Sequence, residues 1–336
     1  MSAHDVLRHV WFLLIGVLLA GYSILDGFDL GVAALFPFLA KTEDEKRALI
    51  GAVGPVWDGN EVWLLAGGGA LFAAFPMAYA TVFSGFYLAL MLVLFSLILR
   101  AVSLEFRAHD ADRKSLWEAA FVIGSALPAL LFGVALGNVV VGVPLDAKGD
   151  FAGTFFTLLR PLPLVFGLLG LCAFLLHGAT YAALKTDGDL RRKAQKAALR
   201  LVPAFAAAFA LSFVMVAIFL PQALKRIPAW IFAGLVFLAL VLVALALKKG
   251  RDGRAFASSS AAFLSLWGIV ASIHYPNLVR AADPALSLTI ANASSSALTL
   301  KAMLIIAAIG MPLVIGYTIY AFRVFKGKSG AGGPGY

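Results

Sequence analysis

The sequence predicts an all-α integral membrane protein of about nine transmembrane helices, and three observations predict it. Composition comes first: 62% of the 336 residues are hydrophobic and only 13% charged, and the mean hydropathy is +0.93. That is too apolar for the charged surface of a soluble domain. The apolar residues also fall into windows of roughly 18 to 25, the length a helix needs to cross about 30 Å of hydrocarbon. Finally, no stretch alternates apolar and polar residues as the strands of a closed barrel do, and a barrel is the other structure a bilayer tolerates.

The elements follow in chain order. The first span, residues 9–36, begins after Arg8 and runs past Asp26 and Asp29 without a small-residue cleavage site, so it reads as a mature helix rather than a signal peptide. The second, residues 50–73, carries Asp58 and Glu61. Residues 77–100 and 118–141 form the third and fourth. Residues 161–184 form the fifth, which contains Cys172 and His177. Residues 201–221, 229–247, 256–274 and 301–322 complete the set. Residues 1–326 thus make one polytopic membrane domain, and the glycine-rich segment from Gly327 to Tyr336 reads as a flexible tail. No internal repeat divides the chain.

Orientation follows from the basic residues, which stay on the cytoplasmic side of short loops. Only Arg8, Lys148, Arg160, Lys225, Arg226, Arg280 and Lys301 fall at the N-terminus or in the even-numbered connections. The other 20 of the 27 fall in the odd-numbered connections and the C-terminal tail. The N-terminus is therefore expected outside and the C-terminus in the cytoplasm. A missed or invented span would break the alternation. The same loops explain the net charge of +9 without a nucleic-acid partner, because they face anionic lipid. A single cysteine forms neither an internal disulfide nor a metal site. The Asn292-Ala293-Ser294 triplet carries no weight as a glycosylation acceptor.

Charges inside the membrane are the informative residues, because each costs several kcal/mol at the bilayer centre. Four are acidic. Asp26 and Asp29 lie three apart on the first span, and Asp58 and Glu61 lie three apart on the second, so each pair shares a helical face. Counted back from the connection between the two spans, both pairs sit roughly 12 to 17 Å from the cytoplasmic edge and come level with each other. No Lys or Arg is expected within any span to balance them. Three readings stay open. The carboxylates cap a broken helix, bonding to Trp57, Asn60 and backbone freed by Gly27, Pro55 and Gly59. Or they exchange protons near neutral pH and form a relay entered from the cytoplasm. Or they bind a cation such as sodium.

Haem iron in membrane helices is usually held by His or Met. Of the five histidines, His4 and His9 lie at the outer end of the first span, His109 in a cytoplasmic loop and His274 at the outer end of the eighth. Only His177 lies well inside the hydrocarbon. No second His stands at its depth, so it reads as a packed or hydrogen-bonded residue rather than a ligand, and the residues show no haem or metal site.

The run Asp26-Gly27-Phe28-Asp29, the run from Trp57 through Asp58, Gly59, Asn60, Glu61 and Val62 to Trp63, and the stretch from Gly67 to Pro76 resemble subunit II of the cytochrome bd ubiquinol oxidases. The likeness continues through residues 83–87, 133–138 and 177–181 and returns at 292–296, so it covers nearly the whole chain. The short connections and Tyr275-Pro276-Asn277 look more like the cyanide-insensitive branch. The resemblance implies two four-helix bundles plus one peripheral helix. It implies a heterodimer in the bacterial cytoplasmic membrane with a larger subunit I, which holds two b-type haems and one d-type haem and oxidises quinol. Dioxygen is then reduced to water with protons drawn from the cytoplasm, and a small accessory subunit belongs to some complexes. Asp58 matches the family's proton-path carboxylate, Asp26 and Asp29 match the acidic motif beside it, and Trp57, Asn60 and Trp63 are supporting residues of the same motif. Asn292 stands where some members have Asp, and Glu61 where some have Gln. Some members hold a structural quinone in this subunit, which needs only an apolar groove. Gly67 to Ala70 and the series Gly124, Gly133 and Gly137 suit close helix contacts. A proton- or cation-coupled transporter and an inert scaffolding subunit are the competing functions.

Overall fold

A computed structural model describes residues 2–330; the remainder of the glycine-rich tail, 331–336, lies outside the described residues. Eleven α-helices occur among these residues. α1 (Ala3–Leu39) starts at a capping box in which Ser2 and Asp5 bond each other's backbone N–H. α2 (Glu43–Val53) starts at a second such box, between Thr42 and Glu45. There follow α3 (Trp57–Ala74), α4 (Pro76–Gly85), α5 (Tyr87–His109), α6 (Lys114–Val141), α7 (Pro161–Lys185), α8 (Gly188–Phe219), α9 (Ile227–Lys248), α10 (Asp252–His274) and α11 (Ala297–Val324). Eight of them are long and apolar enough to cross a membrane. α3 is not among them, because Asp58, Asn60 and Glu61 dilute its apolar character, but its 18 residues reach about 27 Å, the length of the expected ninth crossing.

Two of the expected spans are drawn differently. The second is broken at Gly54-Pro55, because proline brings no N–H to the helix and Val56 turns back to Val53. The part before the break is the separate helix α2, and Asp58 falls in the first turn of α3, where the helix dipole favours an acid. The third expected span, 77–100, is also two helices. Pro76 opens α4 as a first-turn proline, and the chain breaks at Phe86 before α5 runs on to His109. The crossing is therefore shifted about ten residues along the chain, and Arg100 moves from the membrane edge to the helix interior.

The helices pack as α1, α3, α5 and α6 in one bundle and α7 to α10 in another, joined where α1 and α6 meet α7. α11 lies on α1 and α3 and buries only Leu300. The architecture is the expected two four-helix bundles plus one peripheral helix. α1 is its axis: every residue from Asp26 to Phe36 is buried. Close approach depends on glycine at the α1–α7 crossing, where a Cβ on Gly31 would collide with the backbone of Phe174 and Gly178. The α6 series behaves as expected, since a Cβ on Gly124, Gly133 or Gly137 would meet backbone of α5 or α7. Gly67 packs on Leu19, whereas Gly69 has open space before it. At the end that carries the N-terminus, the strands Asn277–Val279 and Leu288–Thr289 pair antiparallel and join the loops around Val143 and Ala281.

Candidate functional site

Three of the four expected carboxyls meet, and a cation joins them. α1 presents Asp26 and Asp29 on its buried face, α3 presents Asn60 and Glu61, and α5 brings in Arg100, which is 1% exposed. Arg100 Nη1 donates to Asp26 Oδ1 at 2.7 Å and Nη2 to Glu61 Oε2 at 3.0 Å. The guanidinium carbon lies 5.9 Å from the ring centroid of Trp57, within cation–π range. Asn60 Nδ2 donates to Asp29 Oδ2 at 2.7 Å. Asp26 Oδ2, Asp29 Oδ1 and Arg100 Nε are buried with no hydrogen-bond partner.

The expectation that no Lys or Arg balances these acids is corrected here. The hydropathic run from residue 77 puts Arg100 at the membrane edge because it takes in α4, whereas the helix that carries Arg100 starts ten residues later, at Tyr87. The signal that finds it is the pair Gly85-Phe86, which breaks the run. Asp58 does not join the cluster. It lies in the first turn of α3 and is exposed at the cleft between the helices, while Glu61, one turn on, is partly buried with 23% of its side chain exposed. Trp63 is buried in a seat where a Cβ on Gly21 would overlap its ring, so it locks α3 on α1.

His177 is fully buried, and both ring nitrogens are engaged. Nδ1 lies 2.7 Å from Ser259 Oγ and Nε2 lies 2.9 Å from the Ile24 carbonyl, with the Phe256 ring stacked at 4.7 Å. It ties α1, α7 and α10 together as a hydrogen-bonded residue.

A second charged group closes the opposite end of the first bundle from the N-terminus. Arg107, two turns along α5 from Arg100, donates to Glu118 Oε1 at 2.7 Å and to Glu43 Oε2 at 3.1 Å. Lys46 adds a contact to Glu118 at 2.9 Å, and Lys193 of α8 reaches Glu45 of α2. Burial pushes the Glu43 carboxyl up, but Arg107 and Lys46 outweigh it and hold it below the usual carboxylate range.

Residues 7–325 match the family model described as cytochrome bd terminal oxidase subunit II. The chain belongs to the cytochrome bd terminal oxidase subunit II family. The Escherichia coli K12 protein named cytochrome bd-I ubiquinol oxidase subunit 2 is 34% identical to this family member over 98% of the chain and 96% of its own length. The Bacillus subtilis protein named cytochrome bd ubiquinol oxidase subunit 2 is 35% identical over 97% and 96%. Among solved structures, the bd oxidase from Geobacillus thermodenitrificans superposes with a TM-score of 0.80 over 95% of this chain and 98% of that one, at 17% identity. A cytochrome bd subunit II is part of a terminal oxidase, so the chain is one component of a membrane oxidoreductase complex.

Proposed function

We propose that this chain supports a haem-bearing subunit I of a quinol:oxygen oxidoreductase and supplies a cytoplasmic proton path for the reduction of dioxygen to water, and that it is not catalytic alone. The observation that carries the reading is the cluster of Asp26, Asp29, Glu61 and Arg100, with Asp58 exposed on α3 beside it. A carboxylate on a spanning helix is too costly to leave against lipid tails. The exposed face of Asp58 therefore fits a protein partner, to which the carboxyl passes protons that enter from the end closed by Arg107, Glu43 and Glu118.

The two b-type haems and the d-type haem belong, in this reading, to subunit I. The residues here do not fit haem, because both ring nitrogens of His177 are hydrogen-bonded inside the helix packing, and either one would have to break its bond to become a ligand. A structural quinone has room for its prenyl tail in an apolar cleft of about 1040 Å³ that touches both bundles and is lined in part by Phe132, Phe166, Phe209 and Trp267. A small accessory subunit is compatible with the exposed outer helices. The N-terminus is assigned to the outside and the C-terminus to the cytoplasm of the bacterial inner membrane.

The test is Asp58→Asn in the assembled oxidase, with haem content followed by absorption and oxygen consumption measured across pH. Removing a proton-transfer group is expected to slow turnover on the order of 100-fold, most at high pH where protons are scarce, with the haem signal retained. Unchanged turnover at every pH would leave this chain as a scaffold.

A further inference from the structure

We propose that Arg100 divides the carboxyls of the site by charge: it holds Asp26 and Glu61 as anions and leaves Asp29 as the buried carboxyl that carries the proton. This rests on the proton-path reading above and assigns its parts.

A guanidinium keeps its charge in any protein environment, so the site has one fixed positive charge. Its two terminal nitrogens go to two different carboxyls, Asp26 and Glu61. Among the described residues, these are the ion pairs made by Asp26, Asp29, Asp58 and Glu61. Asp29 is only 2% exposed, and its one partner is the neutral amide of Asn60. An anion there would be desolvated with no counter-charge, which costs several kcal/mol.

The unmatched oxygens point the same way. Asp29 Oδ1 and Asp26 Oδ2 are both buried acceptors without a donor, and the residues stand one turn apart on the same face of α1. The Tyr22 hydroxyl, one turn before Asp26 on α1, is likewise buried without a partner; a proton bound at Asp29 Oδ1 makes an O–H bond and turns one of the two acceptors into a donor. When that proton leaves, the cluster changes from one net negative charge to two, and no bond other than the O–H is broken. Asp26 and Glu61 cannot do this as readily, because each is held by a guanidinium nitrogen.

The other titratable groups around Asp29 are accounted for. Tyr22 lies two turns back on α1, Asp58 is on α3, and His177 and Tyr181 face α1 from α7. Glu118 of α6 is tied to Arg107 and Lys46, and Asp252 of α10 is tied to Arg191. Tyr317 of α11 lies beside Gly59.

The test is infrared spectroscopy of the whole purified oxidase in light and heavy water, reading the deuteration-sensitive C=O stretch of protonated carboxylic acids. Asp29→Asn is expected to remove one such band, and Glu61→Gln to leave it. Arg100→Gln is expected to add carboxylic-acid intensity, because Asp26 and Glu61 lose their counter-ion. Should that variant fail to assemble, Asp29→Asn and Glu61→Gln decide the matter, and Arg100→Lys should keep the parental spectrum. An Asp29→Asn spectrum identical to the parent, or loss of the band in Glu61→Gln, overturns the assignment. The two proposals separate cleanly: full turnover of Asp58→Asn with an Asp29 band present sinks the proton path alone. Slow turnover of Asp58→Asn without an Asp29 band sinks the charge assignment alone.

Discussion

Arg100 carries the site at the scale of single residues, and its removal tests the packing as well as the chemistry. Taking away one partner of a buried ion pair leaves an uncompensated charge, which costs about 3 to 5 kcal/mol. Arg100→Met is therefore expected to lower the unfolding midpoint of the detergent-purified complex. Glu61→Gln is expected to lower it much less, because 23% of the Glu61 side chain is exposed and an amide still accepts from the guanidinium. The reverse order in a thermal-melt comparison would mean that Glu61 anchors the arginine. The four acids and the spacing that sets each pair on one helical face were legible in the sequence. Arg100 was not, because its place depends on where a helix begins, and hydropathy does not register the break at Phe86. The exposure of Asp58 was also hidden, since three-residue spacing shows that it shares a face with Glu61 but not what covers that face.

Elements meet at two kinds of contact, glycine crossings and charged ends, and each predicts its own failure. Gly31 and Gly178 let α1 and α7 touch backbone to backbone. Gly31→Ala must push the helices apart, and overpacking of this kind costs about 1 to 3 kcal/mol. Gly234→Ala on α9 has open space before it and should be neutral or gain up to about 1 kcal/mol from helix propensity; a shared loss in both variants would show that the crossing is not tight. The charged end of α2 depends on pH. Glu43 is held below its ordinary value in the folded protein. Its contribution is therefore present above about 4.3, the value of an unfolded glutamate, and is lost as pH falls through the lower folded value. Melting midpoints of parent and Glu43→Gln are expected to differ at neutral pH and to converge as the pH falls through the lowered folded value. Because Glu43 is half exposed, the difference at neutral pH should be small.

Across the whole molecule, the connections gather at two ends, and the membership of each end agrees with the distribution of basic residues. At one end His4 reaches the Ser295 carbonyl, Ser295 reaches Ala74, and Val143 pairs with Arg280. At the other, Lys193 meets Glu45, Arg191 meets Asp252, and Lys328 and Ser329 bond to Thr186 and Lys185. An odd number of crossings puts the two termini at opposite ends, which the loop contacts reproduce without reference to charge. The proposed orientation takes the more basic end as cytoplasmic, because Lys and Arg resist translocation. Cysteine accessibility checks that choice directly. Lys148→Cys lies at the first end and Asp112→Cys at the second; both positions are exposed, whereas the native Cys172 is buried. With a membrane-impermeant maleimide, position 148 is expected to label in intact spheroplasts and position 112 only after lysis. The opposite pattern would turn the molecule over and place Arg107, Glu43 and Glu118 outside. Protons would then enter the carboxyl cluster from the wrong side for a cytoplasmic path.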